Sequence, residues 1–279
     1  MTAITYREDR RSELLPIRLC KTPSLLFLKF MPHRLQQHHW TTFSSIPFVA
    51  QGAFGRKPSE WAAGYGIASQ GHPLPSYVLT RQQVRDECRN PDRPVLHGYI
   101  CVMSWGLQGA AGRGTHATAA WANRIEIERR LMLLKAGGYT RQQAYDLFAT
   151  DPIPGLGPSF FTKLVYFFRS DAAVGYIMDQ WSGKSINLIT GQHLVRISGD
   201  APTSSNTGEN YDSYCRVVEF LAAQEDCTGD ELEQRLFSQN GLYGRQRGAW
   251  RNHVRAHWAT GKPTHRYNHD EMMAWADAL

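Results

Sequence analysis

An aspartate, a lysine and two glycines set among prolines stand close enough in this sequence to do chemistry together. The stretch Asp151-Pro-Ile-Pro-Gly-Leu-Gly-Pro-Ser159 runs directly into an aromatic, helix-like segment. Pro154 stiffens the entry. Gly155 and Gly157 reach dihedrals closed to other residues and hold no side chain against an approaching ligand. Pro158 suits the first position of a helix, where its missing N–H is not needed. The second helix would therefore begin with outward amides, which bind phosphate with help from the helix dipole. Downstream, Asp179 precedes Gln-Trp-Ser-Gly-Lys-Ser and is placed to cap another helix. A cap alone accounts for it. The same cap would also fix the direction of a carboxylate able to stabilise a developing positive charge and to orient or deprotonate a water.

Ile153-Pro-Gly-Leu-Gly157 followed by a helix resembles the helix–hairpin–helix of the DNA glycosylase superfamily. Asp179 lies 22 residues beyond Gly157, behind Ile177 and Met178, as the aspartate of that superfamily does. Tyr211–Gln224 resembles the aromatic-rich helix that follows it. The resemblance spans about residues 118–237 and is nearest to bacterial 8-oxoguanine DNA glycosylase-like proteins. It implies a mainly α fold, DNA as partner, a flipped non-standard base, and hydrolysis of the N-glycosidic bond to leave an abasic site. Pro154, Gly155, Gly157, Ser159 and Lys163 would contact DNA, and Asp179 would be catalytic.

Bifunctional members carry a lysine two residues after the second hairpin glycine, and Ser159 occupies that position here. The departure implies a monofunctional enzyme using water. Lys163, one helical turn further on the same face, is a secondary candidate for the amine and is otherwise expected to meet a phosphate or solvent. No cofactor is required by the resemblance. The backbone carbonyls of Asp151, Ile153 and Leu156 match those that hold a monovalent or divalent cation in relatives, and equally suit an ordinary turn. The target would be an oxidised purine in repair, or a hypermodified, glucosylated phage pyrimidine in antiviral defence. A non-catalytic DNA-binding module using the same hairpin is the alternative.

The totals agree with a globular DNA-binding protein. Of 279 residues, 42% are hydrophobic, and the net charge is +6. No acidic residue lies between Arg235 and His269, where Arg235, Arg245, Arg247, Arg251, Arg255, Lys262 and Arg266 accumulate positive charge suited to a polyanion or to a solvated tail. Cys20, Cys88, Cys101, Cys215 and Cys227 are scattered without a CxxC pair, which argues against disulfides and cysteine-based zinc sites. A cytoplasmic compartment fits this usage, and the longest strongly apolar run, residues 24–30, is too short to cross a membrane. His33, His38 and His39 have no evident partner ligand and read as a surface cluster.

The elements that must position these groups are mostly helical. The first hundred residues, cut by proline and glycine, form an N-terminal segment of unclear fold with a short helix at Thr80–Cys88. A helical domain is expected over 101–279, with the hairpin at 153–157. Its first long helix should start near Thr118, bury Trp121, Ile125, Leu131 and Leu134, and end at Gly137-Gly138. Thr140 and Gln143 have capping-box spacing. Helices are expected after Pro158, Asp179, Tyr211 and Gly229, with a polar connection at 198–210. Trp40, Trp61, Trp105, Trp121 and Trp181 are candidates to stack a flipped base, each more naturally a core residue, and Trp181 is expected to turn away from Asp179. The glycine-rich stretch 104–117 is expected to loop around the pocket or over phosphates.

Overall fold

The computed structural model describes residues 35–69, 71–109, 114–169, 175–238 and 248–258. Twelve helices and one two-residue β-hairpin make up the described residues. They are α1 (Gln37–Ser44), α2 (Pro58–Gly64), α3 (Arg81–Arg89), α4 (Val95–Trp105), α5 (Gly114–Ala122), α6 (Arg124–Ala136), α7 (Arg141–Ala149) and α8 (Pro158–Phe168). Then follow α9 (Gln180–Thr190), β1 (Ile197–Ser198), β2 (Ala201–Pro202), α10 (Gly208–Gln224), α11 (Gly229–Phe237) and α12 (Ala249–Trp258). The mainly α expectation holds.

Local sequence fixes most helix starts. Thr80, Thr140, Asp179, Thr207 and Thr228 each close a capping box with the residue three positions on. Each box satisfies two of the amides that a helix start leaves unpaired. Helix α8 begins instead with Gly157 as an uncapped N-cap and Pro158 in the first position, so its leading amides have no side-chain acceptor.

Two helices organise the core. Helix α8 packs against α3, α4, α6 and α7, whereas α9 packs against α1, α10, α11 and α12. Each buries nine of its eleven residues. In α8 the buried set is largely aromatic and aliphatic. In α9 much of it is polar, and it is paired: Asn187 exchanges hydrogen bonds with the Val195 backbone at 2.7 and 2.9 Å, and Ser185 accepts from Trp250 Nε1 at 2.8 Å. The chain between the two hubs, ending at Asp179, therefore sits where both halves meet.

Several expectations need correction. The long helix expected from Thr118 is broken at Asn123 (φ −99°, ψ 24°) into α5 and α6. The break turns Ile125 outward, 77% exposed, and Ile127 and Arg130 take the buried face with Leu131 and Leu134. Helix α4, buried over nearly its whole length, was not anticipated, because Gly98 interrupts its apolar run. It spans the division placed at residue 100. The polar connection at 198–210 contains the β1–β2 hairpin and the start of α10. Cys20, His33, Arg245, Arg247, Lys262 and Arg266 lie outside the described residues.

The two hairpin glycines do different work. Gly155 has φ +79°, and a Cβ there would lie 2.1 Å from the His116 carbonyl oxygen on α5. Gly157 has φ −77° and open space around it, so it needs no special dihedral. Gly155→Ala should therefore lose roughly 2–4 kcal/mol of stability, from a strained dihedral plus a backbone clash. Gly157→Ala should stay within about 0.5 kcal/mol. Urea unfolding of the two variants checks the contrast.

Candidate active site

Asp179 is held from both sides. Its Oδ1 accepts from the amides of Trp181 at 2.7 Å and Ser182 at 3.0 Å, while Ser182 Oγ accepts from the Asp179 amide at 3.0 Å. The preceding backbone is pinned by side chains from two other helices. Tyr211 and Tyr214 of α10 donate to the carbonyls of Tyr176 and Ile177 at 2.9 and 2.8 Å. Thr162 of α8 accepts from the Met178 amide at 3.2 Å. Among the described residues every side-chain hydrogen bond of Asp179 ends on Oδ1, which leaves Oδ2 for the cavities that this residue lines.

Two cavities meet at this carboxylate. One, about 470 Å³, runs along the hairpin from Pro152 to Phe160 and is bounded by Tyr145, Phe148 and Pro202. The other, about 310 Å³, is lined by Phe54, Trp105, Trp181, Phe237, Arg81 and Arg251. Gly106, Lys163, Asp179 and Gln180 belong to both walls. The hairpin and Asp179 thus line the same larger cavity, of a size ordinary for ligand sites.

Lys163 is buried at 7% exposure, not turned to solvent. Helix side chains slant toward the N-terminus, and Lys163 follows that slant: Nζ donates to the Ser159 carbonyl one turn back, at 2.5 Å. The amine therefore lies beside Ser159, where the resemblance puts a lysine. Gly106 makes the room, since a Cβ there would approach Lys163 Cδ to 3.0 Å. Burial lowers the Lys163 pKa, and the Asp179 charge only partly offsets it. A buried amine of lowered basicity is a competent nucleophile.

The smaller cavity carries polar groups that sequence reasoning missed. Arg81 and Glu233 form a buried ion pair, with Arg81 over the Tyr166 ring at 4.6 Å. Burial pushes Glu233 up to about 7 against the pull of Arg81. Gln51 Nε2, Arg81 Nε and Nη1, and Trp105 Nε1 are buried and have no acceptor among the described residues. All three side chains line the cavity. Such donors suit the carbonyl oxygens and ring nitrogens of a base edge, because a buried donor without an acceptor costs about 1–3 kcal/mol.

The remaining candidates sort clearly. Trp105 and Trp181 line the smaller cavity, so Trp181 does not turn away from Asp179, and Arg251 lies over its ring at 4.8 Å. Trp61 is core, its indole donating to the Gln108 carbonyl at 2.9 Å. Trp40 stacks on Phe43 and Trp121 on Tyr99. From the glycine-rich stretch, Trp105, Gly106, Leu107 and His116 border the cavities, and residues 110–113 lie outside the described residues. Arg235 is spent on Glu225 at 2.7 Å, and Arg255 is exposed. The carbonyl set suggested for a cation does not fit one as it stands. Arg130 Nη1 donates to the Asp151 carbonyl at 2.7 Å, and the Ile153 carbonyl closes the turn onto the Leu156 amide at 3.0 Å. A guanidinium already supplies the positive charge there.

Residues 48–237, more than half of the chain, match the family described as "Putative 8-oxoguanine DNA glycosylase OGG-like protein". Comparison with curated proteins and with solved structures gives no match. Among the described residues no helix is long and apolar enough to cross a membrane.

Glu233 makes a pH-dependent prediction. Its folded pKa, about 7, is raised above the ordinary 4.5, so folding favours its protonated form. The stability this contributes is full below pH ~4.5 and lost as pH rises through ~7. Stability should fall by about 2–3 kcal/mol across that window from this group, and Glu233→Gln should remove that part of the slope. Urea titrations of both proteins from pH 5 to 8 measure it; parallel curves would reject the assignment.

Proposed function

The chain belongs to the OGG-like family of DNA glycosylases, and from that membership and the site geometry we propose that it releases a non-standard base from DNA by hydrolysis at Asp179. The observation that carries this reading is the Asp179 carboxylate, with Oδ1 tied to the start of α9 and Oδ2 left to the cavities that the hairpin borders.

In this mechanism the uncapped amides at the start of α8 hold a phosphate, and the flipped nucleotide enters toward the smaller cavity. The ring faces of Trp105, Trp181 and Phe237 offer stacking surfaces. The unpaired donors of Gln51, Arg81 and Trp105 address acceptors on the base. An acceptor-rich edge of this kind belongs to an oxidised purine, in line with the family, and equally to a hypermodified pyrimidine in an antiviral role. As the C1′–N bond breaks, its electron pair leaves with the base. The Asp179 carboxylate balances the positive charge on the sugar. A water then bonds to C1′ and gives its proton to Asp179, leaving an abasic site. Ser159 at the family lysine position supports this monofunctional course.

One observation favours a second course. Lys163, buried and of lowered basicity at the wall shared by both cavities, offers an amine for attack on C1′ and a Schiff base with the sugar.

Asp179→Asn keeps an acceptor for the cap and removes the charge. Base release from a panel of oxidised and phage-type modified DNAs should fall on the order of 10²–10⁴-fold, with DNA affinity near that of the wild type. Mass spectrometry of released base and a gel-shift assay read the two quantities. Undiminished release would end the enzyme reading at this residue. Borohydride should trap no covalent DNA adduct with the wild-type protein, and an adduct abolished by Lys163→Ala would establish the amine course instead.

A further inference from the structure

Away from the cavities, four histidines from the two ends of the described chain converge. His38 and His39 lie on α1, and His253 and His257, spaced four apart, lie on α12. All six ring pairs but one have centroids 5.2–5.6 Å apart, and His253 and His257 stack at 4.0 Å. Sequence reading considered only the cluster near residue 38, because its partners stand more than 200 positions away.

We propose that His38, His39 and His253 form a binding site for one divalent transition-metal ion of the zinc class, which ties α1 to α12. One nitrogen from each ring lies within 4.8 Å of the others. His39 Nδ1 and His253 Nε2 are 2.9 Å apart, so at least one lone pair faces into the cluster. Zinc with imidazole ligands at about 2.0–2.1 Å brings its ligand nitrogens to roughly 3.3 Å of one another in a tetrahedron, which these rings reach by small rotations. Imidazole is the ligand class that zinc, nickel and copper share. Water takes the fourth position. His257 Nδ1 contacts the His253 carbonyl at 2.8 Å, which orients its ring against His253.

The ion would do structural work for the cavity. Helix α12 also carries Arg251, whose guanidinium lies over Trp181 at 4.8 Å and Phe237 at 4.4 Å, and Trp250, packed edge-on against Phe43 of α1. A metal tie between α1 and α12 holds that side of the cavity without touching the reacting atoms.

The full-length protein, stripped with a chelator and dialysed against Zn²⁺, should hold one zinc per chain by elemental analysis. With Co²⁺ it should show the visible absorption of a tetrahedral site. Zinc should raise its Tm by about 5 °C. His39→Ala/His253→Ala should lose stoichiometric zinc, with affinity falling roughly 100-fold or more, and should lose the Tm shift. Glu87→Gln should keep both, since Glu87, His97 and Cys101 form the other cluster able to hold an ion among the described residues. If the double variant does not fold, the exposed His38→Ala decides by the same measurements. A wild-type protein without stoichiometric zinc, or a folded His variant that keeps it, would overturn the proposal.

Discussion

The site depends on one cap. The Trp181 and Ser182 amides take one oxygen of Asp179 and thereby aim the other. The arrangement gives a carboxylate a fixed direction, and the positive end of α9 favours its charge. The cap in turn needs the three residues before it in place. Their hydrogen bonds to Tyr211, Tyr214 and Thr162 come from helices on both sides, so the carboxylate's position is set by the packing of α8 and α10 together. A shift of α10 would move the acid without the hairpin, whereas a shift of α8 would move both.

The same packing explains why the lysine meets the acid. Helix α8 carries the hairpin at its start and Lys163 one turn in, and the backward slant of helical side chains brings the amine up to the hairpin end. Gly106, at the end of α4, leaves the channel through which the lysine methylenes pass. The uncapped amides, the amine and the carboxylate are then collected from two helix starts, those of α8 and α9. Their relative positions follow from rigid backbone rather than from loop conformation.

That origin also decides what could be read in the sequence. The hairpin, the capping box of Thr140 and Gln143, and the cap at Asp179 were legible because each is a local pattern, complete within a few residues. Helix α8 was legible for the same reason, its start marked by Pro158. The smaller cavity was not. Gln51, Arg81, Trp105, Glu233 and Arg251 come from well-separated stretches, and nothing in any one of them signals the others. Ile125 was misplaced because a periodicity drawn through Asn123 assumes a helix that the chain does not continue. Trp181 was misjudged because helix faces alone do not show that its ring and Asp179 border the same cavity. The histidines of α12 are not evident as partners of His38 and His39 because more than 200 positions separate them.

The cavity beside the acid also bears on stability. Unpaired buried donors on Gln51, Arg81 and Trp105, and a glutamate raised to about 7, are features a core selected for stability alone would discard. An apolar set of equal volume would pack there at no such cost. Elsewhere in the core buried polar side chains are paired, as Asn187 and Ser185 of α9 are, although Arg85, Arg89, His97 and Gln192 each keep one buried polar atom without a partner among the described residues. The shared location of the Gln51, Arg81 and Trp105 donors, on side chains that line a space next to a carboxylate, is what a site needs when its partner brings acceptors and leaves again. Removing the donors would make the empty protein more stable and the occupied one less so. That opposition separates a binding cavity from a packing defect.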